Sequence, residues 1–261
     1  MAGGGRETRC PLVPASSRAR VTGSTQPIHL HPTAPLAELV LLPGDPGRAL
    51  LLAQALLRSP AMFNHNRGLW GYTGRTAQGV EVTVQSTGMG GPSAAIVISE
   101  LADLGARRMI RVGTCGGLDP TLSLGELLVA DRAISADGTS QALGAGSAST
   151  PDPELLAGLQ AAAGEGARTG AVVSTDLFYD DRAGQERLWS RAGALAVEME
   201  TATLFALAAR RGVQAASLLL VSDLLAGERV RIDVDGLRAA EPRLGQVGLR
   251  ALLERPTGAG A

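Results

Sequence analysis

Short apolar runs recur along the chain, each closing on a glycine, serine or threonine loop and each followed by residues at helical spacing. Glu38–Leu42 ends in Pro43-Gly44-Asp45-Pro46, and Arg48–Leu57 then carries apolar residues at helical intervals. Gln214–Ser222 is nearly continuous in apolar residues, the pattern of a strand buried on both faces. Strand alternating with helix predicts an α/β fold with a central mixed β-sheet flanked by helices.

The remaining segments fit that scheme. Trp70–Thr73 and Val80–Ser86 alternate around Gln78–Gly79 and predict a hairpin. Pro92–Leu104 predicts a helix with proline at its start, where a missing N–H costs nothing. Met109–Val112 reads as a strand, Gly113–Gly117 as a glycine-rich loop and Glu126–Ile134 as a strand. Residues 135–151 read as loop, Pro153–Ala163 as a helix, Ala171–Ser174 as a strand and Arg182–Arg191 as a short helix. Ala194–Val197 leads into an alanine-rich helix, Glu200–Arg211, and Leu244–Leu253 forms a terminal helix. No repeat, heptad array or linker divides the chain, so residues 25–255 form one expected domain behind a disordered tail, residues 1–24.

Composition narrows the function classes. A net charge of −1 and a pI near 6.3 give no basic face for nucleic acid and no membrane-binding patch. No run of 18 apolar residues is present, and the N-terminus lacks the apolar stretch of a signal peptide. With only Cys10 and Cys115 there is no disulfide framework, so a reducing, cytoplasmic setting is expected. All 24 basic residues are arginine. Any anion must therefore be held by Arg, His or backbone N–H.

In open α/β sheets ligands bind beyond the carboxyl ends of the strands, which directs attention to the loops at Gly44, Gly88, Gly113, Thr175 and Ser222. Gly44 with Arg48, and Gly113 flanked by Arg111 and Thr114, combine bare backbone with guanidinium and hydroxyl donors, the makings of an oxyanion cradle. The plainer reading makes Arg48 and Arg111 surface or ion-paired arginines. Arg111 interrupts Met109-Ile110-Arg111-Val112, where a buried strand would prefer an aliphatic residue. Glu198 and Glu200 stand at a strand-to-helix junction, either as helix-dipole partners or as acceptors for vicinal sugar hydroxyls. Asp223, after Ser222, is either a cap or a carboxyl in a poorly solvated pocket that can act as a general acid. Phe178-Tyr179 is either core or a stacking platform. Gly88-Met89-Gly90-Gly91 lacks the third glycine of a dinucleotide fingerprint. His29, His31 and His65 have no metal-ligand spacing with the cysteines, so no metal is expected.

The ordered set Gly44-Asp45-Pro46-Gly47-Arg48, Thr87-Gly88-Met89-Gly90, Arg111-Val112-Gly113-Thr114, Asp176-Leu177-Phe178-Tyr179, Glu198-Met199-Glu200 and Ser222-Asp223 closely resembles the hexameric nucleoside phosphorylase family. That family contains bacterial purine nucleoside phosphorylase and uridine phosphorylase, and the resemblance covers about residues 27–254. It implies a pentosyltransferase that converts a nucleoside and inorganic phosphate to free base and (deoxy)ribose 1-phosphate, with no metal or organic cofactor. It implies a phosphate site of Gly44, Arg48, Arg111 and Thr114, with Arg67 lent by a neighbouring subunit. It implies ribose contacts from Met89, Met199 and Glu200, with His29 reaching a neighbour's sugar and His31 as the alternative. Phe178, Glu198 and Ser222 fall beside the base, and Asp223 matches the acid that protonates it. Shared sites imply dimers, assembled as a trimer of dimers.

Asp223 and the short connection from Phe178 to Glu198 favour a purine substrate. Uridine phosphorylase is the alternative, because Gly184-Gln185-Glu186-Arg187 resembles a uracil-reading stretch. A second base-side arginine has two candidates, Arg231 and Arg238. A nucleosidase that uses water would not need Arg48, Arg67 and Arg111, and a non-catalytic nucleoside binder would not need Asp223.

Overall fold

The computed structural model describes residues 26–254; the expected tail, residues 1–24, and Cys10 lie outside them. Among the described residues, no helix is long and apolar enough to cross a membrane.

Strand β1 (Leu39–Leu42) runs into helix α1 (Pro46–Leu56). Asp45 caps that helix by accepting the Arg48 N–H at 2.6 Å, and Pro46 occupies its first turn. Three antiparallel strands follow, β2 (Arg58–Asn64), β3 (Gly71–Arg75) and β4 (Glu81–Gln85). The hairpin is as the alternation predicts. β2 is an addition, unannounced because Pro60 and a positive φ at Ser59 break its pattern. Helix α2 (Gly91–Leu104) stops at Gly105, whose φ of 114° a side chain would strain.

Strand β5 (Arg108–Gly117) corrects the sequence reading: Gly113–Gly117 is not a loop. The strand continues because β10 (Gln214–Leu224), parallel to it, pairs with it from Gln214↔Arg108 to Leu224↔Gly117. Residues 135–151 are also more ordered than expected. Behind β6 (Leu127–Ala136) they carry helix α3 (Gly138–Ala142), capped by Asp137, and the two-residue strand β7 (Ala148–Ser149). Helix α4 (Pro153–Ala163) has its expected bounds, capped by Asp152. β8 (Ala167–Thr175), α5 (Gln185–Arg191), β9 (Ala194–Glu198) and α6 (Thr201–Arg211) match the predicted order. Short β11 (Val230–Arg231) folds back on β10, and α7 (Val234–Leu253) starts ten residues before the predicted terminal helix, with Pro242 inside it.

The eleven strands of the described residues belong to one mixed sheet, in the order β11-β10-β6-β8-β9-β5-β1-β4-β3-β2 with β7 beside β6. Because β10 also pairs with β5, the strands β5, β10, β6, β8 and β9 close on themselves. The pleat sorts side chains to two faces. Val40, Leu42, Met109, Leu219 and Val221 pack with α2 and α6, while Leu41, Ile110, Val112, Leu218 and Leu220 pack with α1, α4 and α7. A central sheet covered by helices on both sides, with one mixed strand order, is the architecture that the alternation predicts.

Candidate active site

A cavity of about 1500 Å³ opens beyond the carboxyl ends of β1, β4, β5, β8 and β10. The five loops picked out by sequence, at Gly44, Gly88, Gly113, Thr175 and Ser222, all line it.

One corner is built on arginine. The pleat of β5 turns Arg111 to the same side as Met109, and its side chain is buried. Its Nε donates to Glu198 Oε2 at 3.0 Å and its Nη2 meets Glu200 Oε2 at 2.5 Å. Its buried Nη1 has no hydrogen-bond partner among the described residues. The guanidinium folds over Gly113, where an added Cβ would lie 2.6 Å from Nη2 and force the guanidinium from its place. Arg48, one turn into α1, is equally buried, and its Nε donates to Glu241 Oε1 of α7 at 2.7 Å. Both arginines are thus ion-paired and cavity-lining at once. Thr114 lines the same corner, and Arg67, in a left-handed conformation (φ 57°), lines the rim.

The acids at the β9–α6 junction have different partners. The Glu198 carboxylate accepts from Arg111, from the Ser174 hydroxyl and from the N–H groups of Glu200 and Thr201, so it is fully engaged inside the protein. Glu200 accepts the Gly90 N–H at 2.5 Å besides Arg111. Burial pushes the Glu200 carboxyl above its ordinary range; Arg111 opposes that and Glu198 adds to it. Met89, 85% exposed in the Gly88–Gly90 turn, and Met199 line the wall nearby.

Across the cavity, Asp223 is buried near the end of β10. Its Oδ2 accepts from the Ser222 hydroxyl at 2.8 Å, and its buried Oδ1 has no hydrogen bond among the described residues. Arg229 Nη2 stands 3.6 Å and Arg231 Nε 3.7 Å from that oxygen. The β10–β11 pairing, Asp223↔Arg231, sets this approach. Arg238, the other candidate, is not in the cavity wall. Phe178 and Tyr179 stand edge to face at 5.0 Å, and the Arg229 guanidinium lies 5.5 Å from the Phe178 ring centre. Cys115 is in the wall, buried, and burial pushes its thiol above the ordinary range.

Twelve of the predicted site residues therefore share one cavity; His29 alone does not line it. Its Nδ1 meets Glu100 at 2.7 Å and its carbonyl accepts from Asn66, next to Arg67. Sequence reasoning missed Glu241, Arg229 and Ser174. Glu241 lies 193 residues from Arg48 inside an ordinary helical pattern, and nothing local marks it.

Comparison with known proteins fits this geometry. Residues 38–254 match the model of the phosphorylase superfamily. A "Purine nucleoside phosphorylase DeoD-type" of Clostridium perfringens is 41% identical over 196 residues, 73% of this chain and 83% of the relative. Proteins of the same name from Caldanaerobacter subterraneus subsp. tengcongensis and Geobacillus kaustophilus are 42% identical over 200 residues and 40% over 205. They cover 74% and 75% of this chain, and 86% and 85% of the relatives. A match across nearly all the described residues, with relatives at this identity, makes the chain a member of the phosphorylase superfamily.

Proposed function

We propose that the protein is a purine nucleoside phosphorylase, cleaving purine (deoxy)ribonucleosides with inorganic phosphate to free base and (deoxy)ribose 1-phosphate. The observation that carries this reading is one cavity with a guanidinium corner, Arg48 and Arg111, facing a buried carboxyl, Asp223. The names of the relatives carry the same activity.

Phosphate rests on Gly44, Arg48, Arg111 and Thr114, which line one cavity and include the unpartnered Nη1 of Arg111. Glu200, Met89 and Met199 hold the ribose, and Phe178 covers the base beside Ser222. A phosphate oxygen forms a bond to C1′ as the C1′–N bond breaks. The purine takes the bonding electron pair and a proton from Asp223 at a ring nitrogen, a step worth about 10²–10⁴-fold. Holding phosphate against C1′ removes much of the entropic barrier and stabilises the developing positive charge on the sugar. Glu198, with every acceptor engaged, holds Arg111 rather than reading the base. No metal or organic cofactor takes part in this scheme.

His29, outside its own cavity, and Arg67, on the rim beside it, serve the site of a second copy, in dimers that assemble as a hexamer. Gln185 and Arg187 line the cavity and favour uridine as the second reading.

The test is free-base release from inosine, adenosine, guanosine and uridine, each with and without phosphate. Phosphate-dependent release from the purine nucleosides is expected; release confined to uridine would shift base recognition to Gln185 and Arg187. Arg111→Ala should cost about 100-fold or more in phosphate-dependent turnover, by analogy with removal of an anion-stabilising donor. Unchanged phosphate dependence in that variant would end the phosphate-site assignment.

A further inference from the structure

We infer that Glu241 is a positioning residue for the phosphate site, acting through Arg48; this rests on the phosphorolytic reading above. Its carboxylate takes the Arg48 Nε at 2.7 Å, with both side chains more than nine-tenths buried. Both residues line the cavity. Nε is the one side-chain donor of Arg48 so engaged; among the described residues its terminal amino groups donate to no protein acceptor. The bond at Nε therefore fixes the plane of the guanidinium and leaves the outer donors free for an oxyanion.

The packing of α1 on α7 builds this contact. Leu52 follows Arg48 by one helical turn, and Gly245 follows Glu241 by one turn. A Cβ at Gly245 would lie 2.4 Å from Leu52 Cδ2, so a side chain there would force Leu52 to move, and the bare backbone favours this close approach of α7 to α1. The same approach sets Glu241 against Arg48. A buried ion pair is a poor way to join two helices, because apolar residues of similar size commonly do so as well or better. What an apolar pair cannot do is hold a guanidinium in one orientation at the wall of a cavity.

Two substitutions separate reach from charge. Glu241→Asp keeps the charge and shortens the side chain by one methylene. Glu241→Gln keeps the length and an acceptor oxygen and removes the charge. Phosphate affinity is measured by calorimetry with inorganic phosphate alone, and phosphate and inosine KM by steady-state turnover. Glu241→Asp should weaken phosphate about tenfold in both Kd and KM, with the inosine KM within about twofold of wild type, a loss the size of one charge-assisted hydrogen bond. Glu241→Gln should bind phosphate within about threefold of wild type. Wild-type affinity in Glu241→Asp would overturn the inference, whatever its thermal stability. So would an equal loss in both variants, which would make the charge and not the hold on Nε the cause. Phosphate-independent base release by the wild type would instead sink the reading of the reaction itself.

Discussion

Asp223 is a buried carboxyl with one oxygen bonded to Ser222 and the other without a hydrogen bond, while Arg229 and Arg231 stand just beyond hydrogen-bonding distance. A proton donor whose work is to neutralise a leaving purine should be dispensable when the purine already carries the charge. Asp223→Asn is therefore expected to lose about 10²–10⁴-fold in turnover of inosine, and far less with an N7-methylated purine nucleoside. Equal losses on both substrates would remove Asp223 from proton transfer. At this scale the sequence was informative where a residue broke its local pattern. Arg111 stood out in an aliphatic strand, and Asp223 stood out in the most apolar one. Glu241 and Arg229 broke no pattern, and only the folded arrangement reveals their partners.

Among the elements, α2 holds the backbone amides of residues 28–30, before β1, through one side chain. Glu100 accepts the N–H groups of Ile28, His29 and Leu30 and meets the His29 ring. Burial pushes this carboxyl upward, but the Leu30 N–H, the His29 ring and the other N–H donors outweigh it and hold it below the ordinary carboxylate range. A carboxyl lowered on folding adds stability above its unfolded-state pKa, and that stability is lost as pH falls through the folded value. Hydrogen exchange at the amides of residues 28–30 should therefore accelerate relative to the core as pH drops through the acidic range, and Glu100→Gln should show weak protection already at neutral pH. Protection that is independent of pH and unchanged in Glu100→Gln would mean the segment is held by something else. Element types were mostly legible, because the helices carry apolar residues at helical spacing and the strands are apolar runs, although the first ten residues of α7 were not expected. The continuation of β5 through Gly113–Gly117 was not, since glycine reads as a turn and only the pairing with β10 and β9 makes a strand of it.

For the whole molecule, the closed ring of β5, β10, β6, β8 and β9 places Arg111, Glu198 and Asp223 on adjacent strands around one cavity. No local signal encodes that closure; it depends on pairings between residues more than a hundred positions apart. His29 does not line this cavity. If it serves a second copy, a mixture of His29→Ala and Asp223→Asn chains, each impaired alone, should regain activity after subunit exchange. A mixture no more active than the sum of its parts would confine each site to one chain.

The pairing of charge around the anion corner has one more consequence. Arg48 is paired with Glu241, and Arg111 with Glu198 and Glu200, so the positive charge buried at this corner is largely offset inside the protein. Attraction at a distance, which salt would damp within about 10 Å at 0.1 M ionic strength, contributes little to capture. Selectivity among anions then rests on fit to a few oriented donors.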